Sequence, residues 1–203
     1  MSSKVVKKFK IGRRLGAGVL DKCATPQFAS SQSRKSKAGR PKKISDYGYS
    51  LLDKQRVRYA YGISERQLQK YVKNAHTSNT GDAKPANMLF QNLEQRIDNI
   101  VYRLGLAQSR RMARQMVSHG HFLVNDRRTM VPSQMLRIGD KISVRDNSRE
   151  STLFHEADKK MAGYKSPAWL KKDASKLTAE IIGAPADPDP FFNFSAVIEY
   201  YSR

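Results

Sequence analysis

Ser109-Arg110-Arg111-Met112-Ala113-Arg114-Gln115-Met116-Val117-Ser118-His119-Gly120 is the stretch whose reading decides the fold. Wound at about 100° per residue, it gathers Arg110, Arg111, Arg114, Gln115 and Ser118 within an arc of roughly 140° and leaves the opposite arc to Met112, Ala113, Met116 and Val117. Ser109 is suited to cap the first free amides, and Gly120 to take the left-handed conformation that stops a helix. The pattern predicts a short helix with three arginines on its wet side.

Upstream, Leu93, Ile97, Ile100, Val101 and Leu104 make one apolar stripe on a helix predicted to run from Leu93 to Leu104 and to end at Gly105. Downstream the period changes to two. His121-Phe122-Leu123-Val124 leads through an Asn125-Asp126 turn to Arg127-Arg128-Thr129-Met130-Val131, and Lys141-Ile142-Ser143-Val144 follows an Ile138-Gly139-Asp140 turn. The fold class predicted is α+β, with two helices packed on a small curled antiparallel sheet. That packing would put Arg110, Arg111, Arg114, Arg127 and Arg128 on one rim, a charge pattern suited to the phosphates and base edges of folded RNA.

The motif Leu93-Glu94-x-Arg96-x-Asp98-Asn99-x-Val101-Tyr102-Arg103-x-Gly105, with Ser109-Arg110 and Ala113-Arg114-Gln115-x-Val117-Ser118-His119, resembles the RNA-binding domain named after the small-subunit ribosomal protein S-four. That domain also occurs in RNA-modifying enzymes and a tRNA synthetase, so the rest of the chain must choose between hosts. Ser45-Asp46-Tyr47-Gly48-x-x-Leu51-x-x-Lys54-Gln55-x-Val57-Arg58-x-x-Tyr61-Gly62, followed by Glu65-Arg66-Gln67 and Tyr71, is similar to the S-four family outside the shared domain, and so is Lys10-Ile11-Gly12-Arg13-Arg14-x-Gly16 near the start. A Pro-Gly-Gln-His-Gly turn found in many relatives is absent.

Charge points the same way. A formal net charge of +20 on 203 residues implies a polyanionic partner. Residues 1–75 hold 19 Lys+Arg against 4 Asp+Glu, so most of that excess lies in the first third of the chain. The single cysteine, Cys23, excludes an internal disulfide and a multi-thiolate zinc site. The resemblance is to the branch of the family that lacks an N-terminal zinc cluster. No apolar run approaches the length of a membrane span and the start lacks a hydrophobic signal core, so no membrane partner and a cytoplasmic location are expected.

Taken in order, residues 1–44 read as a basic extended arm that orders on RNA, because self-repulsion and few apolar residues leave its ordering entropy uncompensated. Gly16-Ala17-Gly18 reads as turn glycine, since no Lys-Ser/Thr follows to complete a phosphate loop. Residues 45–92 read as a helical domain completed by 175–203. Within it Ser64 and Gln67 form a capping-box pattern, and Ile63 is placed to staple onto Leu68. The next helix sets Leu68, Tyr71, Val72 and Ala75 on one side and Arg66, Gln69, Lys70 and Lys73 on the other. Asn79-Thr80-Gly81-Asp82 is a predicted turn, and Pro85 opens a helix expected to continue into the Leu93 stripe. Residues 93–150 are the inserted S-four-type domain and 151–174 a connecting segment in which Trp169 is a packing anchor. The tail from Val197 to Arg203 resembles the family's terminal strand.

For most of these residues a bland reading competes. A lone exposed lysine is solvated surface by default, and tyrosines at helical spacing more often pack a core rim. Gln95-Arg96-Ile97-Asp98 faintly echoes the catalytic motif of pseudouridine synthases, but too little chain follows Val144 for a separate catalytic domain. Asp98 is expected to pair with an arginine or face solvent. His119 and His121 have no third metal ligand, and His119 suits a helix C-terminus. No catalytic residues, metal or cofactors are expected.

The resemblance implies a structural constituent of the small ribosomal subunit. Such a protein binds a multi-helix junction in the 5′ domain of small-subunit rRNA, nucleates assembly, and contacts the neighbouring ribosomal proteins S-three and S-five. It also helps line the channel by which mRNA enters and bears on translational accuracy. The rRNA contacts expected are Lys10, Arg13 and Arg14 in the arm, and Tyr47, Lys54, Arg56, Arg58, Tyr59, Arg66, Lys70 and Lys73 in the helical domain. In the S-four-type domain they are Ser109, Arg110, Arg111, Arg114, Gln115, His119, His121, Asn125, Arg127 and Arg128. Arg40, Lys42 and Lys43 are the expected mRNA contacts. The alternatives are a free-standing RNA-binding regulator and an RNA-modifying enzyme.

Overall fold

A computed structural model describes residues 8–33, 44–77 and 84–202. Its helices are α1 (Lys8–Leu15), α2 (Pro26–Ser33), α3 (Asp46–Ala60), α4 (Glu65–Thr77), α5 (Pro85–Glu94), α6 (Ile97–Arg103), α7 (Arg110–Ser118), α8 (Asp146–Arg149), α9 (Ala157–Gly163) and α10 (Phe194–Ser202). The strands are β1 (Phe122–Val124), β2 (Arg127–Thr129), β3 (Lys141–Val144), β4 (Leu170–Asp173) and β5 (Thr178–Ile181). The chain divides into two compact units, one of residues 1–87 with 188–203 and one of residues 88–187 inserted between them.

The first unit is helical. Ser45 caps α3 by accepting from the Gly48 amide, and the predicted capping box is formed in both directions at α4. There the Gln67 amide donates to Ser64 Oγ at 3.2 Å and the Ser64 amide to Gln67 Oε1 at 3.3 Å. Leu68, Val72 and Ala75 are buried, while Arg66, Lys70 and Lys73 are exposed. The tail is a helix, α10, where a strand was expected. Phe194, Val197, Ile198 and Tyr201 recur at helical spacing, Asn193 Oδ1 accepts from the Ala196 amide to start it, and it packs on α3 and α4.

The described part of the arm is also not extended. Leu15, Val19, Cys23 and Phe28 are buried together around Gly12, where the Cys23 sulfur fills the space a Cβ would need. Phe9 meets Phe28 edge to face at 5.6 Å. These few apolar residues suffice for a small core that the overall charge conceals. The Asn79 to Asp82 turn and Arg40, Lys42 and Lys43 lie outside the described residues.

The second unit is a five-stranded antiparallel sheet in the order β2-β1-β3-β5-β4, with α6, α7 and α9 contributing to its core. Two residues join β1 to β2, Asn125 and Asp126, with φ of 48° and 64°, the left-handed pair that a two-residue hairpin of matching twist requires. Residues 151–174 and 175–203 therefore depart from the expected division, because β4 and β5 extend the sheet through β3. Trp169 is buried in this core.

The continuous helix expected from Pro85 to Leu104 is broken at Gln95-Arg96. Carbonyls of Gln134 and Pro132 take the amides of Ile97 and Asp98, and the Leu136 amide donates to the Gln95 carbonyl. A short bridge between Arg96 and Met135 thus replaces one turn of helix, and α6 restarts with Arg96 extended at ψ 136°.

Candidate nucleic-acid interface

The geometry begins at the start of α7. Ser109 Oγ accepts from the Met112 amide at 3.3 Å, which fixes the helix origin and so the direction of every arginine after it. Ala113, Met116 and Val117 are buried, and Arg111, Gln115 and Ser118 are exposed.

The three arginines of this helix do not share one role. Arg114 is partly covered and binds the carboxylate of Asp98 through Nε at 2.9 Å and Nη2 at 2.8 Å. Asp98 is 3 % exposed and also receives Arg96, itself buried, at 3.1 and 2.9 Å. Arg110 donates from Nε to Asn99 Oδ1 at 2.7 Å and lies over the Tyr102 ring at 4.5 Å. Asn99 in turn donates to the buried Glu94, whose carboxylate is gripped by Arg103 through two bonds of 2.8 Å. Two acids and one amide on α5 and α6 thereby hold four arginines in a linked frame. Such charge-assisted, mostly bidentate bonds fix orientation as well as energy. Arg111 has no ion-pair partner among the described residues.

On the sheet side, Arg127 and Arg128 are exposed on β2. Arg128 donates to the His119 carbonyl at 3.2 Å, tying the strand to the end of α7, where Gly120 takes φ +74°. His119 is exposed at that helix end. His121 is partly buried, with Nδ1 3.0 Å from Ser148 Oγ and its ring edge-on to Phe154. Burial pushes its pKa below the ordinary imidazole value, and the charges of His119, Arg145 and Arg128 push the same way.

Asn125, expected to meet RNA, is spent within the protein. Its Nδ2 donates to Asp140 at 2.8 Å and its Oδ1 accepts from the Lys141 amide at 2.9 Å, which pins the hairpin turn to β3.

In the helical unit, Lys54 is likewise withdrawn. It is 5 % exposed, donates to Glu65 at 2.6 Å and sits 4.4 Å above the Tyr200 ring. Arg56 donates to the Leu15 carbonyl at 2.9 Å and to Asp53, and Arg58 approaches Glu65 at 3.7 Å and lies over Tyr59. Position on α3 decides this: these residues face α1, α4 and α10 rather than solvent. Tyr47 is exposed and pairs with Tyr200 through a 3.2 Å hydroxyl contact. Arg66, Lys70 and Lys73 on α4, with Lys10 and Arg14 on α1, remain exposed, and Arg13 is partly so. Reading the sequence alone missed Glu94 and Asn99 as holders of the arginines. No local spacing connects residues that meet only through folding, although an acid or amide on an otherwise apolar stripe was a usable signal.

A compact domain that displays a cationic helix beside a basic hairpin is the class of RNA-binding module expected from the arginine helix. Comparison with known families agrees: the family model described as S4 domain matches residues 95–142, and that of the ribosomal protein S4/S9 N-terminal domain matches residues 5–94. Small ribosomal subunit protein uS4 of Roseiflexus sp. (strain RS-1) is 40% identical over 202 residues, 96% of each chain. The uS4 of Syntrophomonas wolfei is 45% identical over 170 residues, covering 81% of this chain and 78% of its own. That of Aquifex aeolicus is 34% identical over 206 residues, covering 96% and 95%. The chain belongs to the uS4 family of small-subunit ribosomal proteins, a structural and non-enzymatic family.

Among the described residues no helix is long and apolar enough to cross a membrane. Asp98, the residue that echoed a synthase motif, is buried and clamped by two arginines, an arrangement that leaves it no approach to a substrate base.

Proposed function

We propose that this chain is a structural component of the small ribosomal subunit in the cytoplasm and acts by binding small-subunit rRNA without turnover. The observation that carries the reading is a division of labour among cations: Arg96, Arg103, Arg110 and Arg114 build a frame, and Arg111, Arg127 and Arg128 are held exposed around it. Phosphate contacts supply most of the affinity, and shape and 2′-hydroxyl contacts supply selectivity. The exposed lysines and arginines of α1 and α4 extend the contact. In this reading Ser109 acts as the cap of α7, while Gln115, His119, His121 and Tyr47 remain contacts at its margin.

The finer assignment follows the family resemblance. The chain nucleates assembly at a multi-helix junction of the 5′ domain. It presents Arg40, Lys42 and Lys43 to mRNA entering the subunit, and it adjoins proteins S-three and S-five, where it bears on translational accuracy.

The test is binding of the full chain to the rRNA 5′ domain across a salt series, together with sedimentation in small subunits. Replacing Arg111, Arg127 and Arg128 by alanine is expected to lower the slope of log affinity against log salt by about 2. An unchanged slope would remove this face from the interface. Loss from small subunits at moderate salt would favour a free-standing regulator, and base modification by the purified protein would favour an enzyme.

A further inference from the structure

Nine large apolar or aromatic side chains are exposed among the described residues, and five of them cluster in one place: Met130 (54 %), Val131 (56 %), Met135 (42 %), Ile138 (61 %) and Ile182 (53 %). Single exposed hydrophobics need no explanation, but a contiguous group marks a contact surface. The chain holds these residues out on a rigid base. Thr129 Oγ1 donates to Gln134 Oε1 at 2.6 Å, the Gln134 amide donates to the Val131 carbonyl at 3.0 Å, and Leu136 is buried beneath them. The Gly139 amide donates to the Ile181 carbonyl at 2.8 Å and the Ile181 amide to the Asp140 carbonyl at 3.1 Å. Those two bonds bring Ile138 beside Ile182.

The character of the patch selects its occupant. It contains no aromatic ring on which a base could stack and no donor for a phosphate, the two devices by which proteins hold RNA. Its borders are basic: residues 127–139 contain Arg127, Arg128 and Arg137 and no carboxylate. A second copy of a chain with net charge +20 would bring the same arginines against it. We infer that Met130, Val131, Met135, Ile138 and Ile182 form the apolar centre of a docking surface for a different protein of the same particle, one that presents aliphatic side chains flanked by carboxylates. An apolar centre with an arginine rim is the ordinary anatomy of a protein interface, and methionine is enriched there because it adapts to the opposing surface.

The inference rests on membership of the small subunit, and the experiment separates the two. The full chain is treated with dilute peroxide free, bound to deproteinised small-subunit rRNA, and within sedimented small subunits, and sulfoxide at Met130 and Met135 is read by mass spectrometry. The expected result is oxidation at both positions in the free chain and on naked rRNA, with loss of the sulfoxide at both in the particle. A Val131→Asp, Ile138→Asp variant, altered only at exposed positions, is expected to bind naked rRNA as before and to regain oxidation at Met130 and Met135 in the particle. Protection already present on naked rRNA would make the patch an RNA contact and overturn the inference. Oxidation persisting in the particle would also overturn it, and so would unchanged protection in the variant. Absence of the chain from the particle would overturn the membership and the inference with it.

Discussion

Arg111 and Arg114 lie one turn apart on α7 and answer to different forces. Arg114 serves the buried carboxylate of Asp98, and Arg111 faces solvent. Replacing Asp98 by alanine takes the anion from Arg96, which is 2 % exposed, and is expected to cost about 3–5 kcal/mol in a denaturant titration. Arg111→Ala is expected to change stability by less than about 0.5 kcal/mol while lowering the salt slope of RNA binding by about 1. A reversed pattern would mean that the frame and the contact have been misassigned. His121 adds a pH dependence of definite sign. Its folded pKa is depressed by burial and by neighbouring positive charge, so the unfolded chain takes up the proton first as pH falls. The stability it contributes is full above about 6.5, the ordinary imidazole value, and is lost as pH drops from there through the depressed folded value. Melting temperature measured between about pH 7.5 and 5.5 is expected to fall with acid, and His121→Gln to flatten that fall. An equally steep fall in the variant would place the titration elsewhere.

At the scale of elements, two helix-ending glycines with nearly equal φ make different predictions. Gly105 has φ +77°, and a Cβ there would lie 2.6 Å from Cβ of Tyr164, an atom fixed to backbone. Gly120 has φ +74°, but its neighbour is the mobile guanidinium of Arg128. Gly120→Ala is expected to cost about 1 kcal/mol, the left-handed penalty alone, and Gly105→Ala clearly more, as read from unfolding midpoints; equal losses would show that Tyr164 yields. Both stops were legible in the sequence, as were the Ser64 capping box, the α7 register and the Asn125-Asp126 hairpin, because each is decided within a few residues. The interruption at Gln95-Arg96 was not, since its cause is a bridge to Met135 some 40 residues away in the chain. Strands β4 and β5 escaped for a related reason. They are four residues each, and Leu170-Lys171-Lys172-Asp173 carries too few apolar positions to declare a face. Lys54 was misread because a lysine's burial depends on Glu65 and the Tyr200 ring, which only folding supplies.

For the whole molecule, the instructive feature is that the chain leaves its first unit, builds the second, and returns to finish the first. The return is fastened by charge as well as packing. Tyr201 donates to Glu65 at 2.6 Å, the same carboxylate oxygen that receives Lys54. Burial alone would raise the pKa of Glu65, yet the bonds from Lys54 and Tyr201, with the charges of Lys54 and Arg58, hold it below the ordinary range; burial and then Glu65 push that of Tyr201 well above its own. Phe192, Phe194 and Val197 add buried apolar surface, each worth about 1.5–3 kcal/mol. Truncation after Asp187 removes all of this and leaves Lys54 and Glu65 without their aromatic cover, a loss comparable to the roughly 5–15 kcal/mol that stabilises a whole domain. The second unit keeps its complete core, which draws only on residues 97–181. The truncated chain is therefore expected to lose amide-exchange protection along α3 and α4 while retaining it along α7, β1 and β3, and to bind RNA with a salt slope reduced to the share of the second unit. Protection lost equally from both units would mean that the S4 domain depends on the tail for its own stability, and the two units would then have to be treated as one cooperative fold.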